Sequence, residues 1–236
     1  MIRSALLTFA ACLAVASPAL AKKTTKIQAA GTASRVEDFL PPKLTPDNEW
    51  NLDLSDGGRV VIQLRPDMAP KMVERIKTLT AQGFYNGLMF HRVIEGFMAQ
   101  GGDPKGTGEG GSTLPDVPAE FNDLPHVRGA VAAARAADEN SANSQFYIMF
   151  MPNLKLDRHY TVFGRVVSGM AYVDAIQRGE PPATPTRIVR ASIGDVPPLT
   201  AAQLAPPPPV QAPAALPSGP ITPTPVTPVT PTRRRH

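Results

Sequence analysis

Cysteine is nearly absent from this 236-residue chain: Cys12 stands alone. An intramolecular disulfide and a cysteine-built zinc site are therefore excluded. Histidine is also scarce, with four residues and none at the spacing of a ligand pair, which points away from a metal centre. Net charge is missing where a polyanion would need it. The chain carries +4 overall and a pI near 9.4, but Arg3 is the one charged residue of 1–21, and Arg233, Arg234 and Arg235 are the charged residues of 197–236. The remaining 20 basic and 20 acidic residues cancel between Lys22 and Val196. A domain without net field has little to steer nucleic acid toward it.

Proline is abundant but uneven: 13 of the 27 lie after Val196, including Pro206–Pro209 and the Thr-Pro steps of Thr222–Thr232. Such a segment cannot bury a core, and residues 197–236 are expected to form a disordered, partly polyproline-II tail. At the other end, residues 1–21 read as a secretory signal. Arg3 precedes the apolar run Ala5–Ala16, and Pro18-Ala19-Leu20-Ala21 offers a small-residue cleavage site. The run is too short for a spanning helix. Export to the periplasm is the expectation, with acylation at Cys12 as the minor alternative. Residues 22–42 read as a linker, and 43–196 as the folded domain.

Within that domain, Trp50, Leu52 and Leu54 alternate with polar residues, Asp56-Gly57-Gly58 turns the chain, and Val60, Ile62 and Leu64 resume the alternation. This pattern predicts a β-hairpin. Pro70 fits the first turn of a helix continued by Met72, Val73, Ile76 and Leu79 and stopped by Gly83. Strands are expected over 88–94, 96–101, 130–135, 145–150, 161–167 and 187–194, with a second helix over 170–177. Many short strands with turn signals and two isolated helices suggest a closed, largely antiparallel barrel.

Three blocks carry a family resemblance: Phe90-His91-Arg92-Val93-Ile94-Glu95-Gly96-Phe97-Met98-Ala99-Gln100-Gly101-Gly102-Asp103, Asn140-Ser141-Ala142-Asn143-Ser144-Gln145-Phe146-Tyr147-Ile148, and Leu156-Asp157-Arg158-His159-Tyr160-Thr161-Val162-Phe163-Gly164-Arg165-Val166. In order and spacing, residues 48–196 resemble the cyclophilins, the peptidyl-prolyl cis–trans isomerases. The resemblance implies an eight-stranded antiparallel β-barrel capped by two helices, needing no cofactor and no metal. It implies proline-containing polypeptides as substrates, during the folding of exported proteins. A monomer is expected, without nucleic-acid partners.

The resemblance also implies site roles. Arg92 matches the catalytic arginine, although an isolated strand arginine more often sits in a surface ion pair. Phe97, Met98, Tyr147 and Leu156 match the apolar pocket for the prolyl ring. Gln100 and Gln145 match groups that hold the peptide backbone and orient Arg92. Ala134 and Arg135 border the neighbouring residue's subsite, Gly106 lines the loop beside it, and Tyr160 closes the far side. Departures from the family pattern are Lys155, where many members carry Trp, Tyr160, where many carry His, and Tyr147, a frequent Phe. The missing indole donor at Lys155 implies weak binding of cyclosporin, the family's inhibitor.

Competing motifs fail. Gly106–Gly111 fits a dinucleotide glycine pattern, but Pro115 follows and no βαβ unit surrounds it. Ser144 and His159 lack the context of a hydrolase triad. The alternatives that stand are a peptide-binding or chaperone module of the same fold with little turnover, and a docking role for the tail, whose terminal arginines can touch an anionic envelope or membrane surface. Ala205-Pro206, Ala212-Pro213 and Gly219-Pro220 are also X–Pro steps tethered to a prolyl pocket, at effective concentrations up to about millimolar.

Overall fold

The computed structural model describes residues 43–204. The expected signal segment with Cys12, the linker 22–42 and the tail from residue 205 onward lie outside the described residues.

The alternation of 49–64 becomes strands β1 (Glu49–Leu54) and β2 (Arg59–Leu64), paired antiparallel with Trp50 opposite Ile62 and Leu52 opposite Val60. Trp50, Leu52, Leu54, Val60, Ile62 and Leu64 are all fully buried. The polar residues between them are not solvated as strict alternation would suggest. Asn51 Nδ2 donates to the Gly194 carbonyl at 2.8 Å, and the buried Asp53 carboxylate accepts from Arg59 and Arg190. Buried polar groups are tolerated when paired in this way. Arg59 also donates to the Val196 and Pro197 carbonyls, fastening the chain where the proline-rich sequence begins.

Helix α1 (Pro70–Ala81) buries Met72, Val73, Ile76 and Leu79 on one stripe, as its spacing predicts. Its N-cap, Ala69, has no side-chain oxygen. The Glu120 carboxylate accepts from the Lys71 and Met72 amides instead, both at 2.9 Å, placing a negative charge at the helix's positive end. Then follow β3 (Arg92–Ile94), β4 (Met98–Gly101), β5 (Ala130–Ala133), β6 (Phe146–Met149), β7 (Val162–Ser168), α2 (Met170–Ala175), β8 (Ile188–Ile193) and the short α3 (Ala201–Leu204).

All eight strands join one sheet in the order β3-β4-β6-β5-β7-β2-β1-β8, each pair antiparallel. The expectation of a closed barrel needs correction here. The edge strands β3 and β8 do not pair along a ladder, and the gap is spanned by single bridges, Met89 to Arg187 and Val93 to Gly179. Pro181, Pro182 and Pro185 lie in the segment between them and have no N–H to donate, so a continuous ladder cannot run there. The result is a curled, mainly β half-barrel.

The main core fills the curl. Trp50 meets Phe146 and Tyr85 edge-on, at ring-centroid distances of 4.9 and 5.4 Å. Because side chains alternate along a strand, Ala99, Phe146 and Ile148 point into this core while Met98, Tyr147 and Met149 join a second, smaller apolar cluster with Ala130, Ala132 and Val162. That second cluster occupies the outer face of the sheet, and the candidate site is built on it.

Candidate active site

Register places the expected residues in a row. Arg92 on β3 faces Gln100 on β4, Gln100 faces Tyr147 on β6, and Tyr147 faces Ala132 on β5. Directly opposed residues project from the same face. The row therefore brings a cation, an amide and an aromatic ring side by side. Arg92, Phe97, Met98, Gln100, Ala134, Arg135, Tyr147, Leu156 and Tyr160 together line one cavity of about 270 Å³. Phe97 comes from the β3–β4 turn, Leu156 from the 3-10 turn Leu154–Leu156, and Tyr160 from the approach to β7. Nine of the eleven residues expected at the site converge there.

Gln145 and Gly106 are the other two. Gln145 lines an adjoining cavity of about 410 Å³, which shares Gln100, Ala134 and Arg135 with the first and is otherwise bounded largely by Gly108–Ser112, Ser141 and Asn143. Gly106 lines neither. It takes φ +69°, and a Cβ there would collide with the Met89 side chain, so it serves the shape of the loop. The loop glycines that do border the second cavity are Gly108, Gly110 and Gly111. Lys155 is exposed and lines neither cavity.

A chain of hydrogen bonds crosses the site. Gln145 Nε2 donates to the Gly108 and Gly110 carbonyls at 2.9 and 2.8 Å, which fixes its amide orientation. Its Oε1 then accepts from Gln100 Nε2 at 2.8 Å, leaving Gln100 Oε1 to face Arg92 Nη1 at a long 3.5 Å. Arg92 Nε donates to Glu180 Oε2 at 2.9 Å. Nη2 has no hydrogen-bond partner among the described residues, so the fork keeps a donor available at the cavity. Arg135 is held differently: its guanidinium lies 4.6 Å over the Tyr160 ring and donates to the carbonyls of Ala136, Ala137 and His159.

The glycine-rich loop is shaped by Asp103. Its carboxylate accepts from the amides of Lys105, Thr107 and Gly108 at 2.6–2.9 Å. Burial pushes its pKa upward, but these donors prevail and hold it below the usual carboxylate range. A phosphate-binding use of this Gly pattern is contradicted by that carboxylate, which already occupies the amides.

Sequence reasoning missed three residues around the site. Glu180 pairs with Arg92 from 88 positions away. His126 and Asp157 form an ion-pair geometry behind Tyr147. Nothing in local spacing announces such partners. Among the described residues no group of three or more His, Cys, Asp or Glu is placed to hold a metal ion.

Among the described residues, His91 and His126 are buried, and their burial bears on stability. Burial lowers the pKa of His91, with Asp103 opposing and Arg92 assisting, and burial lowers that of His126 against the pull of Asp157. Both ring nitrogens of His91 lack hydrogen-bond partners among the described residues. With both native values held below the ordinary histidine value of about 6.5, the unfolded chain binds more protons than the native one as pH drops. This contribution is full above pH 6.5 and is lost as pH falls through the lowered native values. The expected result is a lower urea midpoint at pH 5.0 than at pH 7.5. Identical midpoints would contradict it. At still lower pH, Asp67, Asp103, Asp157 and Asp174, all lowered, act in the same direction, and the raised Asp56 opposes them.

Comparison with known proteins gives a consistent set of relatives. Residues 51–193 match the family described as cyclophilin type peptidyl-prolyl cis-trans isomerase/CLD. A protein of Brucella suis, named "Probable peptidyl-prolyl cis-trans isomerase", is 49% identical over 164 residues, covering 63% of this chain and 83% of that protein. Peptidyl-prolyl cis-trans isomerase B of Bacillus subtilis is 40% identical over 128 residues, or 54% of this chain and 89% of that one. Among solved structures, the cyclophilin AquaCyp293 from Hirschia baltica superimposes with a TM-score of 0.59 at 30% identity, covering 64% of this chain and 75% of that chain. A cyclophilin-type isomerase of Cryptosporidium parvum, solved in the presence of the dipeptide Ala-Pro, gives 0.59 at 26% identity, with 63% and 99% covered.

Proposed function

This chain belongs to the cyclophilin-type peptidyl-prolyl cis-trans isomerase family and is an enzyme of that activity, and we propose that it acts through Arg92 on exported polypeptides. The amide before proline keeps partial double-bond character, with a rotation barrier of about 20 kcal/mol. At the twisted transition state conjugation is lost, and the prolyl nitrogen becomes pyramidal with an exposed lone pair. A donor aimed at that lone pair stabilises the transition state more than either planar isomer. Arg92 is suited to this role: it is always protonated, and its fork is oriented by Glu180 and Gln100 with a donor left over. Phe97, Met98, Tyr147 and Leu156 provide aromatic and thioether surface for the pyrrolidine ring. No step calls for a nucleophile or a cofactor.

The observation that carries this reading is the single cavity that unites Arg92 with those four apolar side chains. It is tested by titrating an Ala-Pro peptide into isotopically labelled protein. Amide shifts should concentrate at Arg92, Phe97, Gln100, Tyr147 and Leu156. Shifts centred elsewhere would remove the assignment. Gln145 and the second cavity, which share Gln100 and Arg135 with the first, are the proposed place for the residue preceding the X–Pro unit.

Export rests on the sequence of residues 1–21. The mature protein is expected to begin at Lys22, as read by intact mass or N-terminal sequencing of material from the native host. A chain beginning at Met1, or one acylated at Cys12, would contradict cleavage at Ala21. The proline-rich stretch 197–236 is proposed as a spacer whose arginine end contacts an anionic envelope surface.

A further inference from the structure

We propose that Asp157, His126 and Tyr147 act as one hydrogen-bonded chain that sets the floor of the proline pocket, with Asp157 and His126 as positioning residues. The proposal rests on the cavity being the prolyl site and adds to it a reason for the cavity's shape.

His126 is fully buried, and each of its polar atoms is committed. Its backbone N–H donates to Asp157 Oδ1 at 2.8 Å, and its Nδ1 lies 2.9 Å from the same oxygen. Its carbonyl accepts from the Asn153 amide at 2.8 Å. These three contacts tie the segment before β5 to the turn that carries Leu156, one wall of the pocket. The fourth atom, Nε2, lies 3.1 Å from the Tyr147 hydroxyl and so reaches the pocket floor. Asp157 directly follows Leu156, so one histidine couples two walls.

Proton placement fixes the direction of the chain. A carboxylate only accepts, so Nδ1 carries the proton. The neutral ring then offers a lone pair at Nε2, and the Tyr147 O–H must donate to it. Burial favours the neutral ring, as it lowers the His126 pKa, and it raises that of Tyr147, which stays a phenol. Despite its likeness to a relay, the arrangement therefore creates no nucleophile. It pins a ring. The His126 and Tyr147 planes are within 20° of parallel, and Tyr160 meets both edge-on, at 6.4 and 6.0 Å. The Arg135 guanidinium covers the Tyr160 face. Without the hydroxyl bond the Tyr147 ring would lose its one directional restraint, and Nε2 would be left buried and unpaired.

None of the three side chains is hydrogen-bonded to Arg92, so they should affect how the proline ring is seated rather than how the amide is twisted. Uniform binding of this kind appears in KM and leaves kcat nearly unchanged.

The test begins on the unaltered protein with long-range proton–nitrogen correlation of the histidine rings at neutral pH. The expected result is His126 protonated at Nδ1 and unprotonated at Nε2. An Nε2–H tautomer, or a rapidly exchanging mixture, overturns the proposal. Kinetics of Tyr147→Phe, of Asp157→Ala, which removes the accepting oxygen altogether, and of the double variant supply the second readout. Each single change should raise KM and the dissociation constant of an Ala-Pro peptide by about 3- to 10-fold, with kcat within about twofold. Because both break one chain, the double variant should be no weaker than the weaker single variant. Unchanged KM in Tyr147→Phe, or multiplied effects in the double variant, overturns it. If Asp157→Ala does not fold, the tautomer and Tyr147→Phe, which keeps the ring, still decide. Peptide shifts away from the cavity in the unaltered protein would instead indict the site assignment, so the two failures are distinguishable.

Discussion

Arg92→Ala is expected to lower kcat/KM toward an X–Pro peptide by about 100- to 1,000-fold, the range seen when a preorganised donor to a transition state is removed. The reasoning is differential. Both planar isomers keep the nitrogen lone pair in conjugation, so Arg92 has little to bind until the amide twists. Its loss should therefore fall on the chemical step. Arg92→Lys should recover only part of the rate, because a point charge cannot hold Glu180 and Gln100 while presenting a further donor in a fixed plane. Neither change should disturb folding much. The Arg92 and Glu180 side chains are 41% and 53% exposed, and exposed pairs contribute about 0–1 kcal/mol. Protease-coupled kinetics alongside urea unfolding would check both halves. Equal activity in Arg92→Ala and the unaltered protein would leave the rate enhancement without its proposed source.

Gly102→Ala is the second large effect, this time on stability. Gly102 follows β4 with φ +87°, and an added Cβ would overlap the Ser144 carbonyl oxygen and crowd the Gln145 Cα at 3.1 Å. The obstacle is backbone, so it cannot swing aside. The Ser144 hydroxyl moreover donates to the Gly102 carbonyl at 2.8 Å, holding the two segments together. We expect a loss of about 3 kcal/mol from combined strain and overpacking. Gly57→Ala is the control. It takes φ +100° with nothing within 4 Å of a Cβ, so it should cost only about 1 kcal/mol for the left-handed backbone. Urea denaturation of both would separate close approach from dihedral strain, and equal losses would refute the steric account. Because Gln145 directly follows Ser144, residual folded Gly102→Ala should also show a raised KM.

Elements whose information is local were legible in the sequence. The β1–β2 hairpin and the α1 stripe follow from period-2 and period-3.6 patterning, and the observed strands are trimmed by a few residues at their ends, as at β3 and β5. The pocket residues were legible because three sequence blocks keep a family's order, and the sheet register then set them side by side. What escaped notice depends on distant partners. Asn51 and Asp53 look like solvent positions until Gly194, Arg59 and Arg190 close over them. Glu180 reaches Arg92 only because the bridge between Val93 and Gly179 draws that loop against β3. His126 lies 31 residues from Asp157 and 21 from Tyr147, and neither interval is a motif. The opening between β3 and β8 was foreshadowed by Pro181, Pro182 and Pro185, whose missing donors argue against a closed ladder.

The central claim is that Arg92 stabilises the twisted amide and does not merely hold the peptide. Exchange NMR on an Ala-Pro-containing peptide at equilibrium with the enzyme measures that most directly, since it reports the on-enzyme cis–trans exchange rate and the dissociation constant in one sample. For Arg92→Ala the account predicts an exchange rate reduced by about 100-fold with a dissociation constant changed by no more than about threefold. An unchanged exchange rate, or weakened binding large enough to explain the whole loss of kcat/KM, would contradict it.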